Sequence, residues 1–330
     1  MVKIGIPSAL FYYVYYPKWE TFFKALDTDV ITSGKTTKKL LDNGVREALA
    51  DACLPVKVFF GHAMALRDKV DYLFVPRIVC TNKKTVYCPK FLGMPDMVRH
   101  GLPKMPPLID VRVDTRSQRN AIWNAYKHTG SILGCKKTKI ISAYTAARKV
   151  QSRFNRLVLS GYHPLHAMAA LKGEDVAPVK EYPQQLTFAL LGYPYNIYDP
   201  YISIQIIDKL NKMGVKVLTP DNINPRTLNK QKTSIKKGLF WTFSEQVMKA
   251  AKYYFRSGKI DGAIHLTAFG CGPDSLLNNF IEREAKKHPH IPFMTITMDE
   301  HSGEAGITTR LEAFVDMVQR KRRGVAFHAQ

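Results

Sequence analysis

Along the N-terminal third of the chain the apolar positions change period again and again. "VKIGIPSAL" is continuous enough for a buried strand ending at Pro7 to Leu10, and "PKWETFFKAL" follows with apolar residues at helical spacing. "DVITSG" reads as a short strand, "TTKKLLDNGVREALADA" as an amphipathic helix and "LPVKVFFGHAMALRDK" as a second helix. "VDYLFVPRIVC" has the β-branched and aromatic content of a buried strand, "PKFLGMPDMVRHGL" predicts a broken helix and "PLIDVRVD" another strand. This alternation predicts an α/β fold, a parallel sheet with helices on both faces.

From Ser117 to about Leu171 the pattern turns helical and basic, and "KGEDVAPVKEYPQQ" then reads as a linker. A second α/β series follows. "LTFALLGYPYN", "VKVLTP", "IDGAIHLTAFGCG" and "PFMTITMDEH" are its strands. "PYISIQIIDKLNKMG", "FSEQVMKAAKYYFRSG", "PDSLLNNFIEREAKKH" and "AGITTRLEAFVDMVQRKRR" are its helices. The expected organisation is an N-terminal lobe over 1–178, including the basic helical segment at about 117–171, and a C-terminal lobe over 179–330.

The 330 residues suit two cores, and 45% apolar content is that of a globular chain. No apolar run reaches the roughly 18–20 residues of a membrane helix. The apolar N-terminus lacks the basic flank and small-residue cleavage site of a signal peptide, so the expected location is the cytoplasm. The net charge of +22 is partly concentrated: Lys136–Arg156 holds seven basic residues and no acidic one, and Arg226–Lys259 holds nine against Glu245. Such a balance favours anionic partners, nucleic acid among them. A solvated basic surface accounts for it as well, and no nucleic-acid module signature occurs.

Five scattered cysteines, an odd number, fit a reducing compartment better than a disulfide framework. In "EALADACLPVKVFFGH", Cys53 stands two residues before Pro55, between two helices. "YCPKFLG" places Cys88 before Pro89, and "FGCGPDS" places Cys271 between two glycines before Pro273. Proline is favoured in a first helical turn, so all three sulfurs are expected near helix N-termini. There the free amides and the dipole favour a thiolate, and such placement can lower a cysteine from about 8.5 to roughly 3.5–7.5. Thiolates bind iron and iron–sulfur clusters. The absence of C-x-x-C argues against a zinc ribbon or a thioredoxin motif. On the residues alone, a metal centre and buried structural cysteines are equal alternatives. Cys80, ending "LFVPRIVC", is an additional candidate near such a centre, whereas Cys135 among lysines reads as structural.

At these residues the sequence resembles the acyl-CoA dehydratase activase-related proteins, in the superfamily of the 2-hydroxyglutaryl-CoA dehydratase subunits. The matching stretches are "KIGIPSALFYYVYYPKWETFF", "ACLPVKVFFGH", "DYLFVPRIV", "YCPKFLGMPDM", "GCGPDS" and "DEHSGEAGITTRLEAF", which span nearly the whole chain. The resemblance implies two Rossmann-like lobes with a helical insert between them and an iron–sulfur cluster, 4Fe–4S in type, held by cysteines. Cys53, Cys88 and Cys271 fit the three-cysteine role of the dehydratase subunits, which leaves one iron open. A double cubane uses six cysteines, which five in one chain cannot supply, though a homodimer could. The implied partner is an ATP-hydrolysing activase that delivers low-potential electrons. The chain has no G-x-x-x-x-G-K-S/T phosphate loop, so that ATPase would be a separate protein.

"MDEHSGEAG" places His301 and Glu304 at a strand-to-helix junction, as candidate proton carriers for a dehydration or reduction. Capping of the last helix explains Glu304 equally well. His62, within an apolar helix, reads as a satisfied core histidine, and Ser8 after the first strand could face a ligand. The expected function is electron acceptance from the activase and transfer to a bound substrate such as an acyl-CoA, whose phosphates the basic residues would suit. The alternatives are a non-catalytic cluster carrier or assembly subunit, and a basic nucleic-acid-binding protein.

Overall fold

Proline and glycine decide much of the first unit's architecture. The computed structural model describes residues 1–176, 186–232 and 238–327. The first unit comprises Met1–Pro178 together with Leu239–Phe243. It opens with β1 (Lys3–Ile6), α1 (Tyr12–Lys24), β2 (Asp29–Thr32), α2 (Lys38–Glu47), α3 (Leu54–Met64) and β3 (Tyr72–Phe74). There follow β4 (Arg77–Cys80), α4 (Pro89–Gly101), β5 (Leu108–Ile109), β6 (Arg112–Asp114), α5 (Ala121–Ile132), α6 (Lys137–Leu159) and α7 (Pro164–Leu171). The main sheet runs β2-β1-β3-β5, all parallel.

Two expected strands are each divided. "VDYLFVPRIVC" yields β3 and β4, separated at Val75–Pro76, and "PLIDVRVD" yields β5 and β6, separated at Asp110–Val111. Pro76 has no N–H to give to a ladder, so β3 pairs within the main sheet while β4 and β6 form a separate parallel pair. Arg77 secures the step: its guanidinium binds Asp96 of α4 at 2.6 and 3.0 Å and Asp110 at 3.3 Å. The expected break in "PKFLGMPDMVRHGL" does not occur, because α4 continues past Pro95 at the loss of one intrahelical donor.

α2 and α3 touch backbone to backbone. A Cβ on Gly44 would stand 1.9 Å from the Lys57 carbonyl oxygen, and one on Gly61 would stand 2.1 Å from that of Leu40. Thr37 caps α2 by accepting the Leu40 amide, so the start of α3, with Cys53, is held by a close helix pair.

Leu239–Phe243 completes this unit. The Val86 amide donates to Phe240 at 3.1 Å and the Thr242 amide to Val86 at 2.7 Å. The Phe243 ring lies 5.1 Å from Tyr87 and 5.9 Å from Phe11, in an aromatic cluster beyond the carboxyl end of β1.

The second unit comprises Val179–Gly238 and Ser244–Gln330. Its elements are β7 (Leu186–Leu191), α8 (Pro194–Ile197), α9 (Ile206–Lys212), β8 (Val215–Leu218) and a 3-10 turn at Pro220–Asn222. They continue as α10 (Pro225–Lys230), α11 (Thr242–Ser257, of which Thr242 and Phe243 belong to the first unit), β9 (Gly262–Ala268), α12 (Gly272–Ala285), β10 (Phe293–Met298) and α13 (Glu304–Phe327). The helix expected over "PYISIQIIDKLNKMG" starts only at Ile206, because Ile204 and Gln205 take left-handed φ values of 51° and 52°. The parallel sheet runs β8-β7-β9-β10. Each main sheet thus sets its first strand between its second and third, with the fourth beyond. Both are Rossmann-like, and in such sheets ligands bind past the carboxyl ends where strand order reverses. Among the described residues, no helix is long and apolar enough to cross a membrane. Most of the expected linker, from 177 on, lies outside the described residues.

Candidate functional site

All three Cys–Pro stretches fold as the proline chemistry requires. Cys53 is the N-cap of α3, Cys88 of α4 and Cys271 of α12, each with proline in the first turn. The Cys53 carbonyl accepts the Val56 amide at 2.9 Å, and the Cys88 carbonyl accepts that of Phe91 at 2.9 Å. Cys271 follows β9 directly, after Gly270 at φ 76°, and its carbonyl takes both the Ser275 amide and hydroxyl at 2.9 Å. Cys53 and Cys271 are buried, Cys88 half-buried, and none forms a disulfide.

Within the first unit, Cys53 and Cys88 feel each other electrostatically. The thiolate expectation needs correction for the metal-free protein. Burial pushes the Cys53 thiol up, and the Val56 amide, with Lys90, opposes it only in part. Burial also raises Cys88 against the Lys90 amide and charge. Desolvation of the anion here outweighs the helix start. Both groups therefore hold protons that a metal would have to displace.

Cys80 is placed differently. It ends β4, fully buried, and its thiol donates to Asp114 Oδ1 at 3.3 Å. The Arg112 guanidinium, with this thiol and Ser117, holds the Asp114 carboxyl well below the carboxylate range. Cys135 is half-buried, with its thiol 3.7 Å from the Leu133 carbonyl. Among the described residues, no three His, Cys, Asp or Glu side chains stand together as a metal-binding group. The first unit thus offers a helix-start thiol pair, and the second a matching helix-start thiol. Cysteine thiols at helix starts are a donor type that iron–sulfur clusters take.

Behind Cys271 lies a network that sequence reasoning missed. His265, in the middle of β9, meets Asn278 Oδ1 through Nδ1 at 2.8 Å and Asp274 Oδ1 through Nε2 at 3.2 Å. Thr295 of β10 donates to Asn278 Oδ1 at 2.9 Å, and Asn278 donates to Glu282 at 2.7 Å. Asp274 Oδ2 is buried without a hydrogen-bond partner. The available signals were a lone histidine within "GAIHLTA" and an aspartate in the first turn after "CGP".

The other candidates sit as follows. His301 is exposed beyond β10, its amide donating to Asp299 Oδ1 at 2.9 Å. Glu304 opens α13 and receives Lys209 Nζ at 2.5 Å, a contact that lowers its proton affinity. His62 is fully buried between Ser33 Oγ at 2.7 Å and Thr36 Oγ1 at 2.9 Å, and burial lowers it to about 3. It is a satisfied core histidine. The Ser8 amide donates to the same Ser33 hydroxyl at 2.8 Å, which ties the end of β1 to α3.

Two α/β units, each with a parallel sheet and a cysteine-started helix, taken with the family matches, define the class: an activase- and dehydratase-related α/β protein. The chain belongs to the family described as CoA enzyme activase uncharacterised domain, whose model matches residues 3–223. Residues 221–318 match the 2-hydroxyglutaryl-CoA dehydratase D-component. No curated protein matches the chain.

Proposed function

We propose that the chain is an iron–sulfur component of a 2-hydroxyacyl-CoA dehydratase system, with Cys53, Cys88 and Cys271 as cluster ligands. The observation that carries this reading is that all three cysteines are N-caps of proline-started helices. A bound cluster of the 4Fe–4S type would supply a one-electron couple and, at an open iron, Lewis acidity toward a thioester carbonyl or hydroxyl. The protein's part is to release the thiol protons, hold the thiolates against helix amides and exclude water through the buried settings of Cys53 and Cys271. The electrons would come from a separate ATP-hydrolysing activase in a reducing cytoplasm, and the acceptor would be an acyl-CoA. His301 is the candidate proton carrier at the β10 edge. Cys80 is left out of the ligand set because Asp114 occupies its thiol.

The second reading is a carrier or assembly subunit that passes electrons without acid–base chemistry. It is favoured by one observation, the Lys209 contact that keeps Glu304 a carboxylate. Anaerobic purification with iron and sulfide assays, and EPR of the reduced protein, tests the cluster. Iron and sulfide that fall in Cys53→Ser, Cys88→Ser and Cys271→Ser are expected. A colourless, iron-free protein after anaerobic reconstitution sinks the cluster, and undiminished iron in all three variants sinks the ligand set. Turnover of 2-hydroxyacyl-CoA with activase, ATP and reductant separates enzyme from carrier.

A further inference from the structure

The first unit also contains a cavity that the helix-start cysteines do not line. α1 and α5 form one side of it, and the step from β3 to β4 with β6 forms the other. Its walls are mainly apolar, built from side chains such as Trp19, Phe22, Phe74 and Val113, with Thr81 and Thr129 among them. The interior leaves about 40 Å³ for the centres of water-sized atoms, roughly three times what one water needs.

Two polar groups in this wall stand out: a half-buried lysine whose ammonium faces a ring, and a buried hydroxyl without a partner. The Lys18 ammonium lies 3.9 Å from the Tyr15 ring centroid. Among the described residues no carboxylate perturbs it, and burial alone lowers it to about 8, so it is still mostly charged at neutral pH. The Tyr126 hydroxyl is buried with no hydrogen-bond partner. A buried hydroxyl without a partner is costly unless something answers it, and the Lys18 ammonium adds a positive charge to the same cavity.

We propose that this cavity binds a small carboxylate with an apolar body, its oxygens on Lys18 and Tyr126 and its body against the aromatic wall. The charge balance selects the carboxylate. Among the described residues Lys18 is the one basic side chain lining the cavity, which suits a monoanion. A phosphate would lose its hydration to apolar walls without enough donors to replace it. The site is independent of the cluster proposal.

Isothermal titration of the full-length, iron-free protein with isobutyrate and benzoate tests it, with isobutyramide, benzamide and inorganic phosphate as comparisons. Saturable binding of at least one acid is expected, about tenfold or more tighter than its amide, with no displacement by phosphate. Lys18→Met should abolish the preference for acid over amide, and Tyr126→Phe should weaken acid binding by about three- to tenfold. The site is refuted if neither acid saturates, if phosphate competes, or if Lys18→Met binds acid as the parent does. Should Lys18→Met fail to fold by circular dichroism, Tyr126→Phe decides, and undiminished acid affinity there overturns the assignment.

Discussion

His265 Nε2 and Asp274 Oδ1 meet at 3.2 Å with neither side chain exposed to solvent. The contact ties the middle of β9 to the first turn of α12, and so fixes the helix that Cys271 starts. Burial works against the imidazolium, but the Asp274 charge and the hydrogen bonds to Asp274 and Asn278 outweigh it and raise the histidine. Removing one partner strands the other in a dry site. Asp274→Ala should therefore cost about 3–5 kcal/mol of stability, read as a lowered urea midpoint of the iron-free protein.

Among the described residues, the buried histidines His62 and His265 bracket the pH range. His265 is raised above its unfolded value near 6.5, so its contribution is complete below that pH and fades as pH rises through the folded value. His62 is lowered to about 3, so the unfolded chain binds its proton first and stability falls as pH drops below about 6.5. Urea midpoints between pH 4.5 and 9 should trace a dome, with on the order of 2 kcal/mol of the acid-side loss due to His62. His62→Gln should flatten the acid limb and leave the alkaline limb as it is. An acid limb that is unchanged in His62→Gln would refute the assignment.

Glycine replacements separate contact from conformational freedom. Gly44→Ala and Gly61→Ala would each drive a methyl into a facing carbonyl, and a loss of about 1–3 kcal/mol or more is expected. Gly93, in the interior of α4, has nothing within 4 Å of an added Cβ, so Gly93→Ala should gain about 0.5–1 kcal/mol. Thermal melts of the three variants check both signs.

Thiol chemistry should report the burial of Cys53 and Cys88 directly. With both thiols raised, alkylation by iodoacetamide at neutral pH should be slower than that of a small free thiol and should accelerate with pH. Peptide mapping of the alkylated, iron-free protein measures each site. Faster-than-free labelling of Cys53 at neutral pH would restore the thiolate expectation.

Local chemistry made much of this molecule readable in advance. Proline in a first turn is a short-range rule, so "ACLP", "YCPK" and "GCGPD" announced helix starts where α3, α4 and α12 begin. Continuous apolar runs such as "LTFALL" and "GAIHLTA" likewise announced β7 and β9. The division of "VDYLFVPRIVC" was hidden because one proline in an apolar run is compatible with an edge strand. It becomes a division only when β4 finds β6 as a partner. The contact of His265 with Asp274, and the shared cavity of Lys18 and Tyr126, depend on packing between separate elements of the chain, which no spacing rule contains. Cys53 and Cys88 went the other way from expectation because a helix start is visible in sequence while desolvation is not.

The five residues Leu239–Phe243 give the chain an itinerary unlike its linear order. It leaves the first unit after Pro178, returns for one short segment and departs again after Phe243. Cutting at the linker would therefore not yield two self-sufficient halves. The N-terminal piece would lack the backbone partner of Val86 and the ring that packs on Tyr87. Here the separable piece of sequence and the cooperative piece of structure are different objects. Gene fusions, fragment expression or shuffling guided by the linker alone would part a compact unit from one of its own members.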